Sequence, residues 1–308
     1  MTCAGMDTLP LELHAQIFEC ACTDDGTTAH SLSLVSHYVR EVSEPYRYQS
    51  LAVAGLDSLV KLVHKLEELP THRRRVHRLF LSGWTHKQTH EKAVAFDAVA
   101  ADKYDLERST IVRIFELVAP TLESLSFVAA CPYTSTALLG HLFSLRFPRL
   151  HDLAVHGFYP FPHVPNAMPR LERLHLSGNR NPYGLLQLGG LAAACPTLRT
   201  LHVSGLVAAS SFAEELQSML IPGEHTDPHA LSGTVLPPSL RELTLSVGPS
   251  PSSARRYASA VARHEKMLER LRSIAGCGES LGPLQVELRG NDGEADAYEL
   301  LRNHGRDW

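Results

Sequence analysis

The sequence predicts an α/β fold: a short N-terminal three-helix bundle followed by a solenoid of strand and helix units with parallel strands. Three observations predict it. Six segments share the frame apolar-x-x-apolar-x-apolar, apolar stripes at helical spacing lie between them, and the first fifty residues carry helical patterns without the frame. A strand that alternates and a helix with one apolar stripe each need a partner layer, and stacked units supply it.

In the N-terminal part, Pro10 suits the first turn of a helix and Glu12 favours the positive end of its dipole. Leu13, Ile17, Phe18 and Ala21 then recur at helical spacing, until residues 23–28 interrupt with turn and cap residues. From Ser31 onward, Leu32, Val35, Val39 and Val42 form one apolar stripe and predict a second helix. Pro45 predicts a restart and a short third helix ending near Leu51. Residues 7–51 thus form one helical module. Residues 52–75 link it onward through a strand at Leu51, Ala52 and Val53 and a helix carrying Leu56, Leu59, Val60, Val63 and Leu66 that ends near Pro70.

The region 76–290 holds the frames, and 291–308 is a tail. The frames are Val76-x2-Leu79-x-Leu81, Leu122-x2-Leu125-x-Phe127, Leu150-x2-Leu153-x-Val155, Leu171-x2-Leu174-x-Leu176, Leu198-x2-Leu201-x-Val203 and Leu240-x2-Leu243-x-Leu245. A seventh, Leu281-x2-Leu284-x-Val286, contains Pro283. Helical stripes fall between them at Ile111, Ile114, Phe115 and Val118; at Leu138, Leu139, Leu142 and Phe143; at Leu185, Leu186, Leu188 and Leu191; and at Phe212, Leu216, Met219 and Leu220. Residues 221–238 and 248–253 read as loops, and a helix over 253–275, with Tyr257, Val261, Leu268, Leu271 and Ala275 on one stripe, closes the array.

Leu9-Pro10-x-Glu12-Leu13-x3-Ile17-Phe18, Leu32-x2-Val35-Ser36-x3-Arg40 and Pro45-x2-Tyr48-x2-Leu51 together resemble an F-box of the fungal type. The tryptophan common in the second helix of that family is absent, and Val39 lies nearby. The resemblance implies docking on a Skp-family adaptor of a cullin-RING ubiquitin ligase through Leu9, Pro10, Leu13, Ile17, Phe18, Leu32 and Val35. The frames resemble the leucine-rich repeat in an irregular form. Their first positions are unevenly spaced, whereas a regular repeat runs to about 20–29 residues. Only the frame at Leu171 continues to an asparagine, Asn179.

If the leucines of each strand point inward, alternate residues face out and stack across strands about 4.8 Å apart. Asp152, His156, Arg173, His175, Thr200, His202 and Glu242 are then the candidate target-binding residues, among the outward serines, threonine and alanine Ser124, Ser126, Ala154, Ser177, Ser204, Thr244 and Ser246. The expected function is a substrate receptor that brings a protein target to the ligase. The alternative is a stand-alone repeat scaffold whose N-terminal helices only cap the first unit.

A formal net charge of -4 gives no global positive field for nucleic acid or anionic lipid. The one dense basic run, 72–78, reads as a solvated connector entering a strand. Six scattered cysteines lack paired CxxC spacing and fit a reducing compartment. The first residues lack a cationic stretch leading into an unbroken apolar run, so a cytoplasmic or nuclear site is expected, without secretion or a membrane span. His86-x3-His90 with Glu91 is the nearest approach to metal-ligand spacing but has no third and fourth ligand, so neither a metal nor another cofactor is expected. No nucleophile elbow, phosphate loop, dinucleotide fingerprint or HExxH helix is present, and no enzyme activity is expected of the chain itself.

Overall fold

The computed structural model describes residues 9–90, 101–220, 236–251, 258–276 and 283–290. Tyr257, Glu91, Leu281, most of the predicted loop over 221–238 and the tail 291–308 lie outside them. The described residues contain one eight-stranded, all-parallel sheet whose spatial order is the order of the sequence, together with ten α-helices.

Three helices come first: α1 (Leu11–Ala21), α2 (Thr27–Leu32) and α3 (His37–Ser43). The predicted loop at 23–28 is in part a helix start. The Asp24 carboxylate accepts the amides of Gly26 and Thr28 and the Thr28 hydroxyl, and so caps α2. The predicted single helix through Leu32 and Val42 is broken, because Ser36 takes an extended conformation and its side chain caps α3 by accepting the Val39 amide. The third predicted helix is a single 3-10 turn, Glu44–Tyr46. His14 and Phe18 form the buried face of α1, where His14 stacks on Phe18 and shares a 2.8 Å hydrogen bond with the Tyr38 hydroxyl.

The sheet follows. Strand β1 (Ser50–Ala54) leads into α4 (Leu56–Glu68), then β2 (Arg78–Ser82), α5 (His86–His90) and α6 (Ala101–Val118). Next come β3 (Ser124–Val128), α7 (Ser135–Ser144), β4 (Asp152–His156) and β5 (Arg173–Ser177). After α8 (Gly190–Ala194) the chain continues through β6 (Thr200–Leu206), α9 (Ser210–Leu220), β7 (Glu242–Val247), α10 (Ala258–Gly276) and β8 (Gln285–Arg289).

The six frames fall into one register: Leu79, Leu125, Leu153, Leu174, Leu201 and Leu243 are successive cross-strand partners, as are Leu81, Phe127, Val155, Leu176, Val203 and Leu245. All twelve are buried in one continuous core with the helix stripes. The seventh frame is shifted by two residues, since Val286 and Leu288 are the partners of Leu243 and Leu245. A shift of two keeps the same face inward, which is why alternation alone did not separate the two registers.

Two helix stripes also differ from expectation. Leu188 is 87% exposed and has φ 58, so the segment before α8 turns out of helix there. On α10 the buried face is His264, Met267, Leu271 and Ile274, one step round from the predicted stripe. His264 replaces an apolar residue at no polar cost because its Nδ1 donates to the Val207 carbonyl.

Strands β4 and β5 exit through Gly157 and Gly178. Gly178 has φ +91, and a Cβ there would stand 2.6 Å from the Gly157 amide nitrogen. Glycine at these exits lets consecutive turns stack closely.

Two carboxylates are buried behind the sheet. Glu215 accepts the Gly184 and Leu186 amides and holds the loop before α8. Glu107 accepts the Thr134 hydroxyl, and burial pushes its carboxyl above the usual range, an effect the Thr134 hydrogen bond and the Lys103 charge only partly offset. The native state therefore keeps this proton to higher pH than the unfolded chain, and stability falls as pH rises above the ordinary glutamate value of 4.5 toward the raised one. Glu107→Gln is expected to flatten that decline in urea midpoints measured between pH 5 and pH 8. An equal decline in both proteins would mean that the carboxyl titrates normally.

Candidate functional site

Two surfaces correspond to the predicted sites. The first lies on the N-terminal helices. Leu9, Leu13, Ile17 and Val35 are exposed, at 39%, 43%, 44% and 66%, and Pro10 is exposed beside them. Phe18, at 1%, is not part of this surface, and Leu32 is only half-buried. The phase of α1 explains the difference: with His14 and Phe18 turned inward, Leu9, Leu13 and Ile17, four residues apart, fall on the outer face.

Leu11, Leu34 and Tyr38 extend the exposed set beyond the predicted residues. Among the described residues, seven of the twelve exposed large apolar side chains fall within residues 9–38, so the exposure is concentrated rather than scattered. Of the missed members, Leu34 has a local cause in the break before Ser36, which turns it outward together with the predicted Val35.

These helices are also fastened to the sheet. The Thr23 carbonyl accepts the Ser50 hydroxyl and the Arg78 guanidinium, the Ser50 hydroxyl also reaches the Asp24 carbonyl, and the Gln49 amide donates to the Glu19 carbonyl. Asp24, Asp25, Arg78, Ser124 and Ser126 share the lining of a small cavity of about 30 Å³ at this junction.

The second surface is the sheet face opposite the helix layer. Its first row runs Arg78, Ser124, Asp152, Arg173, Thr200, Glu242 and Gln285 in strict cross-strand register. Asp152 accepts two guanidinium hydrogens of Arg173, and Thr200 donates to Glu242 at 3.3 Å, so four of the predicted residues meet as two pairs. The Asp152 residue itself is buried, at 8%, while the Arg173 side chain is 45% exposed.

The second row brings His175 and His202 together, their rings stacked at 4.1 Å and 8°. His175 Nε2 and Ser204 Oγ are 2.9 Å apart, and His202 Nε2 and Ser246 Oγ 2.8 Å. His156 sits in the third row. His156 Nδ1 and Ser177 Oγ are 3.0 Å apart, and the Ser177 hydroxyl also lies 3.0 Å from the Val155 carbonyl. His156 also borders a 340 Å³ groove with Ser135 and the exposed Phe158.

These serine and histidine pairs have the spacing of a nucleophile and base. His175 and His202 line none of the described cavities, which open elsewhere. What the face offers is a ladder of half-exposed donors and acceptors held in place by cross-strand bonds.

The face is not polar throughout. Phe80, Val128 and Ala154 form a second buried cluster with Ala52, Ala54 and Ala130 on the sheet's first four strands. The predicted outward set began at Ser124 and contained Ala154 but missed Phe80 and Val128. The signal was Leu79-Phe80-Leu81, where a large apolar residue stands at an outward position.

The basic run turns back on the protein: Arg74 donates to the Leu69 and Glu67 carbonyls and Arg73 to Glu44. Among the described residues no three His, Cys, Asp or Glu side chains cluster as metal ligands, and no helix is long and apolar enough to cross a membrane. Compared with family models, curated proteins and solved structures, the chain matches none.

Proposed function

We propose that the chain is a substrate-receptor subunit of an SCF-type cullin-RING ubiquitin ligase. In this reading residues 7–51 act as an F-box-like module on a Skp-family adaptor, and the strands form an irregular leucine-rich-repeat-like solenoid whose open face holds a protein target. The chain itself makes and breaks no bonds, and serves by raising the target's concentration beside the ligase. No cofactor enters this mechanism.

One observation carries the reading: the uncovered apolar side chains of α1 and of the α2–α3 turn. Burying a Leu, Ile or Phe gains about 1.5–3 kcal/mol, against an association cost of about 4–15 kcal/mol. Several anchors must therefore be covered together, and Leu9, Leu11, Leu13, Ile17, Leu34 and Val35 supply them. Co-purification of the adaptor with the full chain tests this directly, and its failure in a binding assay with purified partners would refute the docking.

The bonds from the 23–24 carbonyls to Ser50 and Arg78 favour a second reading, in which the helices cap the sheet of a stand-alone scaffold. The fastening bonds use backbone carbonyls at Glu19, Thr23 and Asp24 and leave the exposed apolar side chains unused, so an adaptor that binds makes the cap a platform as well.

For the target face, the stacked pair is the probe of choice. His175→Ala with His202→Ala is expected to lower target recruitment about tenfold and leave adaptor capture unchanged, because both rings lie on strands far along the sheet from α1. Proximity labelling with each version of the chain reads out the change, and an identical target profile would remove these residues from the site.

A further inference from the structure

We infer that the free edge of β1 is a docking strip for an extended acidic segment of another polypeptide, added to the sheet as a further strand. Among the described residues, β1 pairs only with β2. The Gln49 carbonyl accepts the His77 and Arg78 amides, and the Gly55 amide donates to the Ser82 carbonyl. In a parallel ladder, alternate residues turn both backbone groups to the same side. Residues 49, 51, 53 and 55 therefore bond to β2, and Ala52 and Ala54 aim an amide and a carbonyl each at the open side.

Beyond that side lies a groove of about 530 Å³. Ala52 and Ala54 form one wall, and Ser58, Lys61 and Lys65 on α4, with Arg47, form another. Three cations and no acidic residue line it. Lys65 already meets Glu68 at 2.8 Å, but both side chains are more than half exposed, and exchanging such a pair costs little. Arg47 lies 5.7 Å from the Tyr48 ring, a contact that leaves its charge intact.

The spacings match. Lys61 and Lys65 are four residues apart on a helix, about 6 Å along its axis. Alternate residues of a strand are about 6.6 Å apart and point to one face. A segment with acidic residues at i and i+2 on its helix-side face would set one carboxylate against each lysine, while its other face rests beside the small Ala52 and Ala54 side chains. Lysines on an edge strand commonly keep other strands away. Here β1 itself, Ser50-Leu51-Ala52-Val53-Ala54, carries no charge, and the cations stand behind the edge where they attract an acidic strand.

The test uses the full chain and two fluorescein-labelled heptapeptides, one alternating glutamate with valine and one alternating lysine with valine. Anisotropy titrations are expected to detect binding of the glutamate peptide only. Lys61→Glu with Lys65→Glu should raise its Kd about tenfold and shift preference to the lysine peptide, consistent with two exposed ion pairs. N-methylating the peptide's edge-facing amides should abolish binding without touching the protein. Circular dichroism melts verify that the variant is folded. The proposal fails if neither peptide binds, which would make the cations a guard for the edge, or if affinity ignores charge reversal or N-methylation. It fails too if the chain sediments as a dimer that takes up neither peptide, since a second copy then occupies the edge. No adaptor is present in the assay, so its outcome is independent of the ligase reading.

Discussion

Replacing Leu13 and Ile17 together by aspartate is expected to weaken adaptor capture at least about a hundredfold, because each loses roughly 1.5–3 kcal/mol of burial and tenfold in affinity is about 1.4 kcal/mol. The chain itself should unfold at nearly the same urea concentration, since both side chains are more than 40% exposed and surface changes stay within about 0.5 kcal/mol. Phe18→Ala is the instructive contrast. Its side chain is 1% exposed and stacked with His14, so its loss should reduce capture only by loosening the helices, visible as an earlier melt. Titration calorimetry against the purified adaptor separates the two cases, and unchanged affinity in the double aspartate variant would end the docking proposal.

The largest effect on stability is expected at the centre of the sheet. Phe127 is fully buried on β3 and meets Phe115 of α6 edge to face, with centroids 5.2 Å apart at 89°. Phe127→Ala removes both the transfer energy and the packing of a site clamped between neighbouring strands, at a cost of about 3–5 kcal/mol. Against a total of about 5–15 kcal/mol, that alone brings the chain near its unfolding threshold. Urea denaturation followed by far-UV circular dichroism measures it. A loss below about 1 kcal/mol would mean that Leu153 and the helix layer can collapse into the space, which their full burial argues against.

Strands β2 to β7 were legible because each announces itself twice, by alternation and by the apolar residue two positions before its start. Leu122, Leu150, Leu171, Leu198 and Leu240 hold the turn entering each strand and are all buried, so the register could be read without knowing the structure. The helices were less legible for a specific reason. Leu9, Leu13 and Ile17 form one apolar line and His14 with Phe18 another, and the line that turns inward is the one where His14 meets Tyr38 and Phe18. Composition favours the wrong answer there, since it ranks leucine above histidine for burial.

The outward face was legible as a set of positions but not as a set of bonds. Knowing that His175 and His202 are neighbours follows from the frames. That each imidazole reaches the serine one strand further along, Ser204 and Ser246, depends on side-chain direction that no spacing rule contains. The same is true of Asp152 and Arg173, whose mutual pairing leaves less charge for a partner than the sequence suggests.

Because every strand lies beside the one made just before it, no segment of the sheet must wait for a distant stretch of chain before it can pair. A polypeptide leaving the ribosome can lay down this sheet one row at a time, starting from β1, with each new strand finding its template already in place. Loop-closure entropy rises only slowly with length, so even the long connection from Ser82 to Ser124 adds little to the cost of each addition. Early arrest of synthesis would then release a shorter stack that is native in its finished rows and raw only at the last one.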